Sequence, residues 1–323
     1  MPKEKSTTVR AIPFSLRATR FALTNAARVA PAPAARAASW MFCRPARYRL
    51  PEAERDLLKV ADPFDVRLGR QRLRAWRWGS GERVVLLVHG WSGRGAQLGD
   101  LVQPLLDRGF TVVAFDGPGH GASTGTSSSL VEMADACFAV TRTLRRAPYG
   151  IVGHSMGAAA AAIATAEGLD AERAVWISPP ASLAYFIDEY AAFLGFRAPA
   201  RDSIVRTMES TFRVAMDDLD VERIEVTGGE RMLVLHDLND REVPAEHGRR
   251  VARAFGASFE ATSGLGHRRI LRDRAVASRV AQWIGGHLDE DTSSPNGFEV
   301  ASAPATTDAI TRDPGSRKWT ESL

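Results

Sequence analysis

The strongest constraint on the fold is a recurring alternation between short β-branched runs and helix-like segments. The runs "RVVLLVHG", "TVVAFDGPGHG", "YGIVG", "RAVWISPP" and "RMLVLHD" are apolar without in-and-out alternation, and most end in a turn rich in glycine, proline or aspartate. Strands buried on both faces read this way, so they are expected at the centre of a parallel sheet covered by helices. Between and after them lie "AQLGDLVQPLLDRG", "LVEMADACFAVTRTLRRA" and "GAAAAAIATAEGL", which read as helices. A final unit, "VARAFGASFEATSGLGH", leads to the helix "ILRDRAVASRVAQWIGGHL". Upstream, "RLRAWRW" alternates polar and bulky residues, as an antiparallel edge strand does. The expected fold class is therefore α/β, a mostly parallel central sheet with helices on both faces. A chain of 323 residues, 45% hydrophobic and 25% charged, supplies one sizeable domain with tails.

The tails are set apart by charge and composition. Residues 1–77 hold 17 Lys and Arg against 6 Asp and Glu, leaving 25 basic against 32 acidic residues in the remainder. The basic excess thus belongs to an N-terminal arm, residues 1–49, rich in Arg, Ala and Ser. No apolar stretch in it is long enough for a membrane span or a secretory leader. On a helical wheel Phe14 and Phe21 share a face while Leu16 and Leu23 fall opposite, a poor amphipathic pattern. A solvated or loosely docked arm is expected; weak association with an anionic membrane surface and organelle targeting are the alternatives its composition leaves open. Residues 289–323 are polar and aperiodic, which predicts disorder. The main domain is expected over 50–288.

Several function classes are disfavoured. There are two cysteines, Cys43 and Cys137, which rules out a disulfide framework and favours a reducing, cytoplasmic setting. They lie far apart and no HxxxH cluster accompanies them, so no metal site is implied. No GxGxxG heads a strand-to-helix unit, so no dinucleotide is expected, and no other cofactor is implied. Nucleic-acid binding lacks a recognisable module.

The stretch "GHSMG" sits between the apolar run "YGIVG" and an alanine-rich helix. A serine at a sharp strand-to-helix turn must adopt a strained backbone that lifts its hydroxyl above the sheet edge. Gly153 and Gly157 remove side chains that would collide with the neighbouring strand and helix. A serine hydroxyl is a poor nucleophile until a base takes its proton, so a histidine and an orienting acid are required downstream.

In the motifs "HGW", "FDGPGHG", "GHSMG", "HDLNDREVP" and "GLGHRRIL", the chain resembles the lidded serine hydrolases of the α/β-hydrolase superfamily across residues ~66–288. The resemblance implies Ser155 as nucleophile, His267 as general acid and base, and Asp240 as the acid. Asp240 is selected over Asp237 and Glu242 because the family's acid precedes a Val-Pro pair. Asp116 would brace turns by hydrogen bonds. The backbone N–H groups of Trp91 and Met156 would form the oxyanion hole. The other histidines, His89, His120, His154, His236, His247 and His287, are given structural roles, the last two in exposed helical contexts.

A small helical lid, about 181–228, is implied before the strand that carries the acid. Its apolar residues Phe186, Tyr190, Leu194 and Met208 would line an acyl or alcohol pocket. The implied partner is a small-molecule ester of small or medium apolar character. "HGWSGRG" departs from the HGGG form of many lipases, which argues against bulky tertiary-alcohol esters. Transfer of the acyl group to another acceptor, thioester hydrolysis and non-catalytic ligand binding stay open as alternatives, and the sequence leaves the oligomeric state unknown.

Overall fold

The computed structural model describes residues 14–286 and 299–301. From the N-terminus, helices α1 (Phe14–Val29), α2 (Pro31–Phe42) and α3 (Glu52–Lys59) precede strands β1 (Asp62–Leu68) and β2 (Gln71–Trp78). Then come β3 (Val84–Val88), α4 (Val102–Leu106), β4 (Thr111–Phe115), α5 (Leu130–Leu144), β5 (Gly150–His154), α6 (Met156–Ala166) and β6 (Arg173–Ile177). Helices α7 (Leu183–Leu194) and α8 (Ala198–Phe212) are inserted before β7 (Met232–Asp237). The chain continues through α9 (Ala245–Phe255), β8 (Ser258–Thr262), α10 (Gly266–Arg269) and α11 (Arg274–Gly285) to β9 (Glu299–Ala301).

These elements form two compact units. The larger comprises Arg44–Ser182 and the chain from Asp217 onward. Its sheet has the order β1-β2-β4-β3-β5-β6-β7-β8-β9. Strands β3 to β8 pair in parallel, whereas β2 meets β4 and β1 meets β2 antiparallel. The edge assignment of "RLRAWRW" is corrected here: β2 is second in the sheet, and β1 covers its outer side. The sequence "DPFDVRL" of β1 hides this strand, because its proline and charges are what an outermost strand carries.

Register places the chemistry. Val88 at the end of β3 lies opposite Gly153, and His154 at the end of β5 lies opposite Ile177. The carboxyl ends of neighbouring parallel strands therefore open onto one edge, where ligands of open α/β sheets bind. One face of the sheet packs Val85, Leu87, Val152, Val175 and Leu233 against Val276, Val280 and Ile284 of α11. Helix α6 is buried from Met156 to Ala164, and its run of alanines lets the backbone come close to the sheet.

The smaller unit comprises the chain up to Cys43 together with Leu183–Met216. Of the solvated or loosely docked arm expected from the sequence, helix α2 is packed within this unit. Ala34, Ala35, Ala38 and Ser39 of α2 are buried, and α2 packs on α8. Small side chains permit this approach, and the Ser39 hydroxyl reaches Ala35 O at 2.9 Å and Ile204 O at 3.5 Å. Tyr190 donates to Ala38 O at 3.1 Å, and its ring lies 5.0 Å from that of Phe42. The arm also ends earlier than residue 49, since Arg44–Arg49 belong to the larger unit. The segment 181–228 likewise divides, its last part belonging with the sheet.

His287 and most of the expected tail lie outside the described residues. Within 289–323, only Glu299–Ala301 are described, and they pair antiparallel with β8.

Candidate active site

Ser155 stands between β5 and α6 with φ 54° and ψ −126°. A non-glycine residue held there costs about 1–3 kcal/mol, which the surrounding structure must impose. The Ser155 N–H donates to Ile177 O at 2.8 Å, fastening the turn to β6. A Cβ on Gly153 would lie 2.4 Å from Ala158 Cα, and one on Gly157 would lie 2.3 Å from His89 O. Both glycines are thus required by close approach, the first to the following helix and the second to the end of β3. A Cβ on Gly90 would lie 3.0 Å from Ser155 Cβ, so the turn after β3 sits beside the serine. Met156 opens α6, where the first N–H groups have no intrahelical acceptor.

Asp240 and His267 meet at the far ends of β7 and β8. His267 Nδ1 is 2.7 Å from Asp240 Oδ2. A carboxylate only accepts, so Nδ1 carries a proton, and in the neutral imidazole Nε2 is then the nitrogen with the lone pair. The other oxygen, Asp240 Oδ1, accepts from the N–H groups of Glu242 and Val243, each at 2.9 Å. Burial by itself would raise the Asp240 carboxyl, but the imidazoles of His236 and His267 and the Val243 N–H hold it well below the usual carboxylate range. His154 Nε2 donates to the His267 backbone carbonyl at 2.9 Å, and the two rings lie 4.7 Å apart. The loop bearing His267 is thereby tied to the residue immediately before Ser155. Burial pushes His154 down to about 3, so its ring is neutral and serves as a donor.

The loops on the β3 and β4 side are held by neutral imidazoles and one carboxylate. His89 accepts from Gly117 N–H at 2.9 Å and donates to Gly90 O at 2.7 Å. His120 accepts from Ser92 N–H at 3.1 Å and donates to Pro118 O at 2.8 Å. Burial pushes the two rings down to about 4 and about 3. Asp116 accepts from Gly95 N–H at 2.8 Å and Ala122 N–H at 2.7 Å. Arg47 clasps the Gly119, Ser123 and Gly125 carbonyls, so the segment just after the arm also staples this loop.

A model of the alpha/beta hydrolase family matches residues 85–280, more than half the chain. The chain belongs to the α/β-hydrolase family.

Its relatives within that family vary. A serine hydrolase-like protein of Danio rerio is 33% identical over 111 residues, 31% of this chain and 32% of that protein. A 2-(acetamidomethylene)succinate hydrolase of Mesorhizobium japonicum is 37% identical over 114 residues, 34% of this chain and 40% of that protein. The chain thus spans well under half the length of these curated relatives. Among solved structures, a Pyrococcus furiosus esterase superposes with a TM-score of 0.57 at 18% identity, covering 75% of this chain and 98% of that one. The thioesterase domain from the curacin biosynthetic pathway superposes with a TM-score of 0.51 at 18% identity, covering 69% and 99%. At such identities the likeness is one of fold.

In this α/β-hydrolase, Ser155, Asp240 and His267 are all buried. Trp91 follows Gly90 in the turn beside Ser155, and its ring meets His120 edge-on at 5.2 Å. Of the four residues expected to line a lid pocket, Leu194 and Met208 are buried, Phe186 is half-buried and Tyr190 is engaged with α2. The exposed setting expected for His247 is corrected: it is 5% exposed, and its Nδ1 accepts from Ala181 N–H at 3.1 Å. Its apolar neighbours at helical spacing, Val251 and Phe255, carry the signal for a buried face.

Two residues around the acid do more than the sequence conveyed. Asp237 accepts from Asn239 N–H, the Thr262 hydroxyl and Leu265 N–H at 2.8–3.0 Å, joining the acid turn to the loop of His267. His236 is fully buried, donates to Val243 O at 2.9 Å and lies 3.5 Å from Asp240 Oδ2. The i,i+4 spacing of His236 and Asp240 across a strand end was the available signal. Replacing His236 with Phe strands the Val243 carbonyl and puts a larger ring into a fully buried site. A loss of about 1–3 kcal/mol in stability is expected from denaturant unfolding, and an unchanged midpoint would remove this role.

Proposed function

We propose that the chain is a serine hydrolase that cleaves carboxylic esters of small or medium apolar substrates through an acyl-enzyme on Ser155. The observation that carries the reading is the 2.7 Å contact between His267 and Asp240, on a loop fastened to the residue next to a strained serine. With Nδ1 protonated against Asp240, His267 Nε2 takes the hydroxyl proton of Ser155 as Oγ attacks the ester carbonyl. Asp240 stabilises the imidazolium. The N–H groups of Met156 and Trp91 take the negative charge on the tetrahedral oxygen, each worth about 3 kcal/mol in the transition state. Collapse expels the alcohol, which receives the proton from His267. Water, deprotonated by the same imidazole, then attacks the acyl-serine and releases the carboxylic acid.

An esterase and a thioesterase domain among the fold neighbours fit acyl hydrolysis in general.

The test is a fluorophosphonate probe followed by peptide mapping, together with turnover of p-nitrophenyl esters of increasing acyl length. Labelling at Ser155 and turnover are expected. Product that forms only with an added alcohol, amine or thiol acceptor would make the protein an acyltransferase. A folded protein with neither label nor turnover would be a ligand-binding member of the family.

A further inference from the structure

We propose that the outer face of α1 and α2 docks on an anionic lipid bilayer, lying in the headgroup region without crossing it. No acidic residue occurs between Glu4 and Glu52, while α1 and α2 carry Arg17, Arg20, Arg28 and Arg36, all exposed. Arg17, Arg20 and Arg28 line one open concavity of about 330 Å³ on α1 together with Asn25. Beside these cations stand large apolar side chains that water would otherwise have to cover. Phe21 is 74% exposed, Val29 88% and Trp40 60%. Arg17 and Phe21, and likewise Arg36 and Trp40, are four residues apart on their helices, so each aromatic ring shares a face with a guanidinium.

This pairing of arginine with exposed aromatic and aliphatic groups suits the headgroup region of a membrane. There the guanidinium meets phosphate and the ring sits at the acyl boundary. Soluble phosphate would engage the arginines but give Phe21, Val29 and Trp40 nothing to bury against. A nucleic acid would stack bases on the rings, yet Val29, the most exposed of the three, has no π-face to offer. Among the described residues no helix is long and apolar enough to cross a membrane, so the contact is with the surface. The buried side of α2 is already committed to the smaller unit through Ala34, Ala38 and Ser39, and Arg20, at the edge of the exposed face of α1, lies over the Phe193 ring at 5.6 Å. The exposed face is therefore available without unpacking the unit.

The full chain is tested by co-sedimentation with vesicles of phosphatidylcholine alone and of phosphatidylcholine with phosphatidylglycerol, at low and high salt. Binding to the anionic vesicles only, weakened by salt, is expected. Each guanidinium at such a surface contributes about fivefold in partition, so the R17Q/R28Q/R36Q variant should bind about a hundredfold more weakly. Arg20 is left in place because of its packing on Phe193. A second variant, F21S/V29S, removes apolar contact without touching charge and should weaken binding at least about tenfold. Thermal melts of both variants should match the parent. The proposal is overturned by equal binding to neutral vesicles, by no binding at all, by parent-like binding of the two variants, or by displacement with millimolar inorganic phosphate. Retention on single-stranded nucleic acid without vesicle binding overturns it as well.

Discussion

Ser155→Ala is expected to lower kcat for p-nitrophenyl ester hydrolysis by about 10⁶-fold and to abolish fluorophosphonate labelling. The substitution takes away the only atom able to form the acyl bond in the proposed reaction, while the elbow's backbone contacts are made by the N–H of residue 155 and by its glycine neighbours. Stability should therefore hold. Ser155→Gly sharpens the argument, because glycine accepts φ 54° without the penalty that serine bears. That variant should be equally inactive and should melt no lower than the parent, the pattern of a residue kept for chemistry at a cost to the fold. Turnover retained within about tenfold in either variant would remove Ser155 from the mechanism.

The sheet was legible because its central strands are buried on both faces, and continuous runs such as Val84–Val88 and Thr111–Phe115 have one easy reading. The elbow was legible for a related reason. Two glycines at which an added Cβ would lie 2.3–2.4 Å from neighbouring backbone leave a mark that no turn of ordinary spacing needs. What stayed hidden are elements whose stability comes from distant partners. Helix α2 reads as a string of Ala and Pro with little amphipathic contrast, yet its small side chains are what let α8 approach. Nothing in the sequence sets Arg47 apart from the other arginines around it, and only the folded loop 119–125 shows the carbonyls it holds. His236 was recognised as the end of a strand, but its proximity to Asp240 depends on a turn geometry set by Asp237 and Asp240 themselves. Patterns that repeat along the chain survive in a sequence, and contacts between segments far apart do not.

Asp240→Asn should lower kcat by about 10⁴-fold with the fold intact, through the tautomer of His267. Asp240 Oδ1 accepts from the Glu242 and Val243 N–H groups, so the amide oxygen of asparagine will keep that position. Its NH₂ then faces His267 Nδ1, where Oδ2 now accepts. Two donors cannot share that contact. The imidazole must move its proton to Nε2 and can no longer take one from Ser155. The same substitution has a signature in acid. Because the folded-state Asp240 is held below the usual carboxylate range, its ionisation stabilises the fold above the unfolded value of about 3.9. That contribution is lost as the pH falls from there through the folded value. The asparagine side chain does not titrate, so acid unfolding of the variant should show a shallower dependence on pH below about 3.9 than the parent. A variant with kcat within about tenfold of the parent would show that His267 needs no orienting carboxylate. An unchanged acid limb would show that Asp240 is not held ionised by its neighbours.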